Sequence, residues 1–241
     1  MFSFLKKRST PKTSLTTDVH SHLLPGLDDG VKSFEEAAMI IGQFQKMGYQ
    51  KAITTPHVMQ DTFRNTTENI ASKLKELQQY LDNKGIKFTV EAAAEYYLDE
   101  TLMKRVEQDE PLLTFGNRYL LFETNFLSEP LNLKEFIFLA SAKGYRPVLA
   151  HPERYLYLQS NLQKVEDLIN RSVLFQVNIN SLTGYYSKPV QTLASKLIDQ
   201  GFVHLLGSDC HHLQHTEAIA HARQSRLYEK ALTLPLLNNT L

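Results

Sequence analysis

The sequence has only one cysteine and no excess of charge of either sign. Cys210 alone cannot form an intramolecular disulfide or a zinc site built from several thiolates, and this usage favours a reducing compartment, so we expect a cytoplasmic location. The 26 basic residues balance the 26 acidic ones. This balance disfavours a nucleic-acid-binding protein, because such proteins carry a one-sided basic excess.

Long apolar runs are also absent. No segment approaches the roughly 20 apolar residues that a membrane-spanning helix needs, and the basic cluster at residues 6–8 lacks the apolar run of a signal peptide. Any membrane contact is therefore expected to be indirect. Because Ser, Thr, Lys and Pro dominate residues 9–17, we predict a flexible basic tail over residues 1–16 and one domain over residues 17–241.

Short β-rich runs alternate with amphipathic helical stretches along most of the chain, which is the pattern of a parallel α/β protein. The predicted strands lie around Val19 and at residues 52–55, 88–90, 119–122, 148–150, 174–177 and 203–206. The predicted helices lie within residues 34–44, 70–81, 98–106, 132–142, 165–169 and 193–198. A barrel-like parallel sheet is the simplest interpretation, and an open doubly wound sheet is the alternative.

Nearly every predicted strand ends in a residue type that binds metals. These residues are Asp18, His20 and His22, then His57, Glu95, Glu123, His151, Glu153, Asp209 and His211. The carboxyl ends of parallel strands meet at one mouth, where active sites are built. Imidazole with carboxylate suits zinc, iron or manganese, and so many donors exceed what one tetrahedral ion needs. We therefore predict two or three ions with a bridging carboxylate, although each residue taken singly could be an ordinary buried polar group.

These residues also fall into motifs that occur in a known order. The motifs are Asp18-x-His20-x-His22, Leu27-Asp28-Asp29-Gly30, Thr55-Pro56-His57, Ala94-Glu95-Tyr96-Tyr97, Phe122-Glu123, Ala150-His151-Pro152-Glu153-Arg154-Tyr155, Gln176-Val177-Asn178 and Ser208-Asp209-x-His211. Together they resemble the polymerase and histidinol phosphatase (PHP) superfamily. Within it, they resemble the bacterial manganese-dependent protein-tyrosine phosphatases encoded with capsule and exopolysaccharide genes.

The resemblance implies a distorted seven-stranded TIM-like (βα) barrel of the PHP type, formed by a single domain. It also implies two to three divalent metal ions, with Mn²⁺ expected and Fe or Zn as alternatives. By motif position, the candidate ligands of the three ions are His20, His22, Glu95 and Asp209; Glu95, Glu123 and His151; and Asp29, His57 and His211. The sequence spacing does not decide between Asp28 and Asp29.

The activity implied by the resemblance is hydrolysis of phosphotyrosine monoesters by a metal-activated hydroxide. Arg154 is the candidate phosphate-binding residue, and Asp209 or His211 the candidate proton donor to the leaving phenolate. The expected substrate is a bacterial tyrosine kinase with a Tyr-rich tail that regulates capsular or exopolysaccharide synthesis. A cysteine-dependent phosphatase is excluded, because the position six residues after Cys210 is Thr216 and not arginine.

Three alternatives stay open at this point. They are a small-molecule phosphomonoesterase of the histidinol-phosphate phosphatase type, a related metallohydrolase, and a non-catalytic module that keeps the fold. The sequence also lacks the second arginine that some relatives carry after the Asp-x-His motif, and Arg64 or Arg223 is a candidate replacement. We expect surface or packing roles for His204, His212, His215 and His221. Six tyrosines near strand ends are candidates for a groove wall or for rim packing: Tyr96, Tyr97, Tyr155, Tyr157, Tyr185 and Tyr186.

Overall fold

The computed structural model describes residues 14–241. The predicted flexible tail over residues 1–16 therefore lies mostly outside the described residues. Of its last three residues, Leu15 is buried and the Thr16 amide donates a hydrogen bond to Asn239 Oδ1 at 2.9 Å. The chain is thus already packed against its C-terminal segment before residue 17. Within residues 14–241, no helix combines the length and apolarity needed to cross a lipid bilayer.

The strands follow the predicted positions closely. They are β1 (Thr17–Asp18), β2 (Lys51–Thr54), β3 (His57–Val58), β4 (Thr89–Ala92), β5 (Glu95–Tyr97), β6 (Tyr119–Glu123), β7 (Arg146–Ala150), β8 (Leu174–Asn178) and β9 (Leu205–Gly207). Two of the predicted strands are each divided in two, giving β2 with β3 and β4 with β5. The last strand begins after His204, which was predicted to lie inside it.

Helices α1 to α7 lie between strands, as expected for βα units, and α8 and α9 follow the last strand. They are α1 (Phe34–Lys46), α2 (Thr67–Asn83), α3 (Glu100–Glu107), α4 (Leu133–Ala142), α5 (Leu156–Gln159), α6 (Leu162–Asn170), α7 (Lys188–Asp199), α8 (Leu213–Ala222) and α9 (Arg226–Ala231). Short 3-10 turns cover Pro152–Arg154, Ile179–Thr183 and Asn238–Thr240. The helical stripes predicted from apolar spacing are confirmed in α1, α2, α4 and α7, whose apolar faces are buried.

Side-chain caps fix where helices begin. Ser33 Oγ accepts a hydrogen bond from the Glu36 amide at 3.2 Å, but the Glu36 carboxylate accepts from the Lys32 amide instead of that of Ser33. Only half of a capping box is therefore present at α1. A complete capping box is found at α2, where Thr66 and Asn69 exchange hydrogen bonds.

The strands form two parallel sheets, with orders β1-β2-β4 and β3-β5-β6-β7-β8-β9. Pro56 lies between β2 and β3, and a proline has no N–H with which to continue a ladder. Single hydrogen bonds still cross the gap, from Ala93 to Thr54 at 2.9 Å and from Glu95 to Pro56 at 3.1 Å. The predicted parallel α/β fold is confirmed, whereas a closed seven-stranded barrel is not, because the ladder is split into two sheets.

A small apolar group, which we name the inner cluster, lies between strands of both sheets. It comprises Val19, Ile53, Ala93, Phe115, Tyr119, Leu121, Val148, Ala150 and Leu205. The larger core packs the helices against the outer faces of the strands, as where Phe122 meets Phe136 with ring centroids 4.9 Å apart. Along β6, Leu121 joins the inner cluster and Phe122 the outer core, because successive side chains point to opposite faces.

Candidate metal centre and phosphate site

The predicted ligand residues lie together at the carboxyl ends of the strands. His20 and His22 follow β1, Glu123 ends β6, His151 follows β7, and Asp209 and His211 follow β9. His57 and Glu95 each lie three residues past the end of β2 or β4, where they begin the short strands β3 and β5. Three overlapping groups of these side chains have donor atoms within 4.8 Å of one another. The convergence predicted from the strand ends is therefore what the fold produces.

The first group is built around a buried carboxylate. Glu95 Oε2 lies 3.1 Å from His20 Nε2 and 3.5 Å from His22 Nε2. Asp209 Oδ1 lies 3.5 Å from each of the same two nitrogens. The structure thus brings together the four side chains that the motifs assigned to one ion.

The second group shares Glu95 with the first. His151 Nε2 lies 3.0 Å from Glu95 Oε1 and 3.9 Å from Glu123 Oε2. His57 also joins this group, because its Nδ1 lies 3.2 Å from Glu95 Oε2 and 3.1 Å from Glu123 Oε1. The motif positions had placed His57 only with Asp29 and His211, so its ring stands between two groups.

The third group lies nearest the solvent. Asp29 Oδ1 is 3.6 Å from His57 Nε2 and 3.4 Å from His211 Nε2. The His211 ring stacks on His22 at a centroid distance of 3.9 Å, and His22 completes the group. The side chain of Asp29 is 59% exposed, in contrast to the buried groups.

The two acidic residues of the Asp-Asp-Gly motif have different environments. Asp28 Oδ2 accepts from His22 Nδ1 at 2.7 Å and from the His57 amide at 3.1 Å, and Asp28 Oδ1 accepts from the Gly30 amide at 2.9 Å. Asp28 therefore orients His22 with its Nε2 towards the other ligand-type groups, which is the usual role of a carboxylate behind a metal-binding histidine. The Asp29 carboxylate instead faces His57 Nε2 and His211 Nε2 at the solvent side of the cluster.

Strand β8 supplies amides that hold the first group in place. His20 Nδ1 bonds Gln176 Oε1 at 2.6 Å, and Gln176 Nε2 donates to Asn178 Oδ1 at 3.0 Å. Asn178 Nδ2 in turn donates to Asp209 Oδ2 at 2.6 Å. A Cβ added at Gly207 would collide with both His20 and Gln176, so only glycine allows this approach. Gln176 was not predicted as a site residue, although it lies in a quoted motif.

The backbone is strained at two of the converging residues. His151 has φ of 35° and Asp209 has φ of 50°, in the left-handed region that non-glycine residues rarely adopt. These turns follow β7 and β9 directly. Strain of this kind concentrates at functional sites, where the surrounding structure maintains it.

The charges of the cluster act strongly on one another. Burial lowers the pKa of His20, but the charges of Glu95 and Asp209 outweigh burial and raise that pKa to about 10. Burial raises the pKa of Glu95, but the charges of His20 and His57 outweigh burial and hold that pKa well below its usual value. A buried site with several ionised carboxylates attracts cations.

The donor set fits divalent ions. His57 Nδ1 and His151 Nδ1 are buried and have no hydrogen-bond partner among the described residues. His57 Nδ1 nevertheless faces two carboxylate oxygens at 3.1–3.2 Å, as a nitrogen that shares a ligand shell with them does. Imidazole nitrogens with bridging carboxylates suit transition-metal ions better than magnesium.

Arg154 lies beside this cluster in a fixed position. Its Nη1 donates to Asp209 Oδ2 at 3.1 Å, and its guanidinium is held between the Phe126 ring at 4.7 Å and the Tyr186 ring at 4.6 Å. The side chain is 27% exposed, so the group still reaches solvent. A planar cation held in this way can bind a phosphoryl group through two parallel hydrogen bonds.

A cavity of about 560 Å³, which we name the mouth, opens over the cluster and Arg154. Its apolar and aromatic walls come from Met59, Phe63, Tyr97, Phe126 and Tyr186. Of the six tyrosines considered, Tyr97 and Tyr186 therefore line the mouth, whereas Tyr155 and Tyr157 are buried in packing and Tyr96 lines a neighbouring cavity. Tyr185 is 48% exposed and packs edge-on against Tyr186.

Two histidines expected to have surface or packing roles also line the mouth, namely His212 and His215. Their rings pack against each other with centroids 3.8 Å apart, so the expected packing role is combined with a position beside the ligand-type cluster. His215 Nδ1 accepts from the His211 amide at 3.2 Å. Neither candidate for a second phosphate-binding arginine lines the mouth: Arg64 borders the neighbouring cavity, and Arg223 donates to the Met47 carbonyl between the Tyr49 and Tyr228 rings.

Residues 16–231 match the family model described as capsular polysaccharide synthesis, CpsB/CapC. The chain belongs to the CpsB/CapC family. This confirms the family that the motifs indicated. Because the match spans most of the chain, both the converging ligand-type residues and Arg154 fall inside it.

Two curated relatives show how far the CpsB/CapC likeness extends. The putative tyrosine-protein phosphatase CapC of Staphylococcus aureus is 29% identical over 194 residues, which cover 80% of this chain and 76% of the relative. The tyrosine-protein phosphatase YwqE of Bacillus subtilis is 24% identical over 197 residues, covering 82% and 78%.

A solved structure has the same fold over nearly the whole chain. It belongs to the crystal structures of YwqE from Bacillus subtilis and CpsB from Streptococcus pneumoniae, described as metal-dependent tyrosine phosphatases. The TM-score is 0.78 with 24% identity, and the match covers 91% of this chain and 94% of that one. This likeness establishes the fold.

Proposed function

We propose that this CpsB/CapC-family chain is a metal-dependent protein-tyrosine phosphatase. The observation that carries the proposal is the position of Arg154, whose guanidinium lies 3.1 Å from Asp209 at the edge of the ligand-type cluster. A phosphate ester in the mouth then meets a fixed cation on one side and the cluster on the other. The names of the curated relatives support the same activity.

Nine side chains are proposed as metal ligands, in the three overlapping groups that the structure brings together. They are His20, His22, Asp29, His57, Glu95, Glu123, His151, Asp209 and His211. We propose two to three divalent ions, with Mn²⁺ expected and Fe or Zn as alternatives. Such ions supply Lewis acidity, which lowers the pKa of water and neutralises charge on phosphoryl oxygens.

The chain's own residues position the substrate. Arg154 binds the phosphoryl group, and Tyr97, Phe126 and Tyr186 offer walls for the phenyl ring of phosphotyrosine. Asp209 Oδ2 already accepts from Arg154 and Asn178, and His211 Nδ1 lies 3.0 Å from the Asp209 carbonyl. These contacts support metal ligation as the role of both residues, and they single out neither as the proton donor.

We also propose that the two sheets act together as an interrupted seven-stranded barrel. The inner cluster supports this, because it joins Ile53 of β2 in one sheet with Leu121, Val148 and Leu205 of β6, β7 and β9 in the other. An isolated parallel bridge between Ser21 and Cys210 lies where the first and last strands approach. In such an arrangement the carboxyl ends of all strands face the same mouth.

The proposed substrate is a phosphotyrosine protein, namely a bacterial tyrosine kinase with a Tyr-rich tail that regulates capsular or exopolysaccharide synthesis. The family description, capsular polysaccharide synthesis, supports this role. The mouth is open to solvent on the side of Asp29, so a tyrosine on a flexible segment can enter it.

The proposal is tested by metal content and activity measured on the same purified protein. We expect two or three ions per chain by elemental analysis, hydrolysis of a phosphotyrosyl peptide, loss of activity with a chelator, and recovery with added Mn²⁺. Hydrolysis of histidinol phosphate in preference to the peptide would instead identify a small-molecule phosphomonoesterase. Protein that binds metal but hydrolyses neither compound would contradict both assignments.

A further inference from the structure

A second cavity, of about 430 Å³, lies beside the mouth and has no part in the proposed chemistry. We name it the side groove, and it is lined by Val58, Met59, Arg64, Tyr96, Asp99 and Arg105 among others. The two cavities lie against the same pair of strands. On β3, His57 lines the mouth and Val58 the side groove, and on β5, Tyr97 lines the mouth and Tyr96 the side groove. Met59 borders both.

The charge of the side groove is positive. Asp99 is its acidic lining residue, and both carboxylate oxygens are occupied by backbone donors, with Oδ1 accepting from the Leu102 amide at 2.8 Å and Oδ2 from the Gln60 amide at 3.0 Å. Within residues 14–241, Arg64 forms no ion pair, and its Nε donates to the Gln60 carbonyl at 2.7 Å. This bond fixes the base of the guanidinium and leaves its outer nitrogens available.

A second guanidinium is held on the wall of the same groove. The Arg105 guanidinium lies 5.5 Å from the centroid of the Tyr96 ring, and Nη2 donates to the Pro111 carbonyl at 3.0 Å. Its Nε lies 3.4 Å from Glu110 Oε2, but Glu110 is about half exposed, where water screens the pair. The side groove therefore offers two arginines, of which Arg64 carries the unbalanced charge.

We propose that the side groove binds an acidic side chain of the substrate polypeptide next to the phosphotyrosine. This inference rests on the proposed phosphatase function. With the phosphotyrosine in the mouth, the polypeptide has to leave past the rim, and Met59 is the rim residue common to both cavities. Val58 and Leu102 give apolar contacts for the chain, and a guanidinium recognises a carboxylate through paired charge-assisted hydrogen bonds.

The test uses metal-loaded full-length protein and phosphotyrosyl peptides that differ at one flanking position at a time. Each flanking position within three residues of the phosphotyrosine carries Glu or Gln, and free phosphotyrosine reports on the mouth alone. For wild type we expect kcat/KM to be about threefold to tenfold higher for Glu than for Gln at one or more positions, the range for a partly exposed charge pair. Arg64→Ala should bring this ratio close to one.

Two further variants sharpen the result. Arg64→Glu should reverse the preference, so that a Lys peptide exceeds the Glu peptide. Arg226→Ala, which removes an exposed arginine from a separate cavity lined with Lys188 and Lys230, should keep the wild-type ratio.

The outcomes separate the two levels of the argument. If the ratio of kcat/KM for the Glu peptide to that for the Gln peptide is the same in wild type and in Arg64→Ala, the proposal for the side groove is overturned and the phosphatase function is not. A loss in Arg64→Ala that is as large for free phosphotyrosine as for every peptide would overturn it too, since Arg64 would then act on the phosphate. Absence of turnover for all peptides and for phosphotyrosine would overturn the phosphatase function, and this inference with it.

Discussion

The inner cluster and the proposed metal centre lie on neighbouring parts of the same strands but have opposite chemistry. On β6, Leu121 lies in the inner cluster and Glu123, two residues later, faces the metal centre. Leu205 of β9 also lies in the inner cluster, and Asp209, two residues beyond the end of that strand, lies among the ligand-type groups. These two strands therefore carry apolar side chains in their middle and ligand-type side chains at or just beyond their carboxyl ends. We name the inner cluster the lower level and the ligand-type groups at the strand ends the upper level.

The largest effect is expected from removing a ligand-type side chain at the upper level. His151→Ala should lower phosphotyrosyl-peptide turnover on the order of 10³-fold or more, because it removes the ring that lies 3.0 Å from Glu95. Metal content should fall with it, while the circular dichroism spectrum stays that of the wild type.

His221→Ala is the matched control, because His221 is exposed on α8. It should retain wild-type turnover and metal content. Full activity of His151→Ala at wild-type metal content would remove His151 from the centre and weaken the contrast between the two levels.

The next effect tests whether phosphate binding is separable from metal binding. Arg154→Ala should lower kcat/KM by about 10²-fold, the usual loss when one charged donor to the reacting group is removed. Arg154→Lys should recover little, since an ammonium lacks the planar fork. The ions should remain bound in both variants, as measured by elemental analysis.

Arg118→Ala serves as the control for this series. Arg118 also stacks on a tyrosine, 4.4 Å from the Tyr145 ring centroid, but donates to the Gly144 carbonyl away from the mouth. If Arg154→Ala loses its ions together with its activity, Arg154 supports the centre and does not bind phosphate separately.

A smaller effect is expected from the residue that orients His20. Gln176→Leu removes the acceptor 2.6 Å from His20 Nδ1 and should cost about 10- to 100-fold in metal affinity or turnover. Gln176→Glu retains an acceptor oxygen and should recover part of the loss. Titration of metal into the apoprotein of wild type and of both variants measures the metal affinities. Equal affinities in all three proteins would show that the hydrogen bond has no influence on the centre.

The smallest effect on turnover is expected at the lower level, with the largest effect on stability. Leu121→Ala should reduce the free energy of unfolding by about 2–5 kcal/mol through lost burial and a cavity. Turnover per folded molecule should change little. Leu131→Ala, at a fully exposed leucine, should leave both quantities unchanged in urea unfolding and activity measurements. If Leu121→Ala loses turnover but not stability, the inner cluster serves the chemistry and the proposed separation of stability from chemistry is wrong.

The convergence of the site was predictable because it depends only on strand direction. Parallel strands bring their carboxyl ends to one mouth, so reading His57, Glu95, Glu123 and His151 as strand ends was enough to place them together. Which of these side chains belong to the same group of ligand-type residues was less predictable. The two nitrogens of His57 face different groups, and that depends on a ring orientation that spacing along the chain does not encode.

Other features depend on how distant elements pack. His215 reaches the mouth because of the direction in which α8 leaves β9, and Arg64 misses it because the loop after β3 turns towards α3. The division into two sheets had a signal in the sequence, since Pro56 directly follows the strand predicted at residues 52–55 and a proline cannot continue the ladder. The break between β4 and β5 had no comparable signal.

The left-handed backbone at His151 and Asp209 links the occupancy of the centre to local motion. Such conformations cost on the order of 1–3 kcal/mol each, and they persist only when surrounding contacts maintain them. Bound ions would add to those contacts, so ion release and local opening of the two turns become one coupled equilibrium. Amide hydrogen exchange should therefore speed up on chelation first at these turns, while the fully buried strand β6 stays protected.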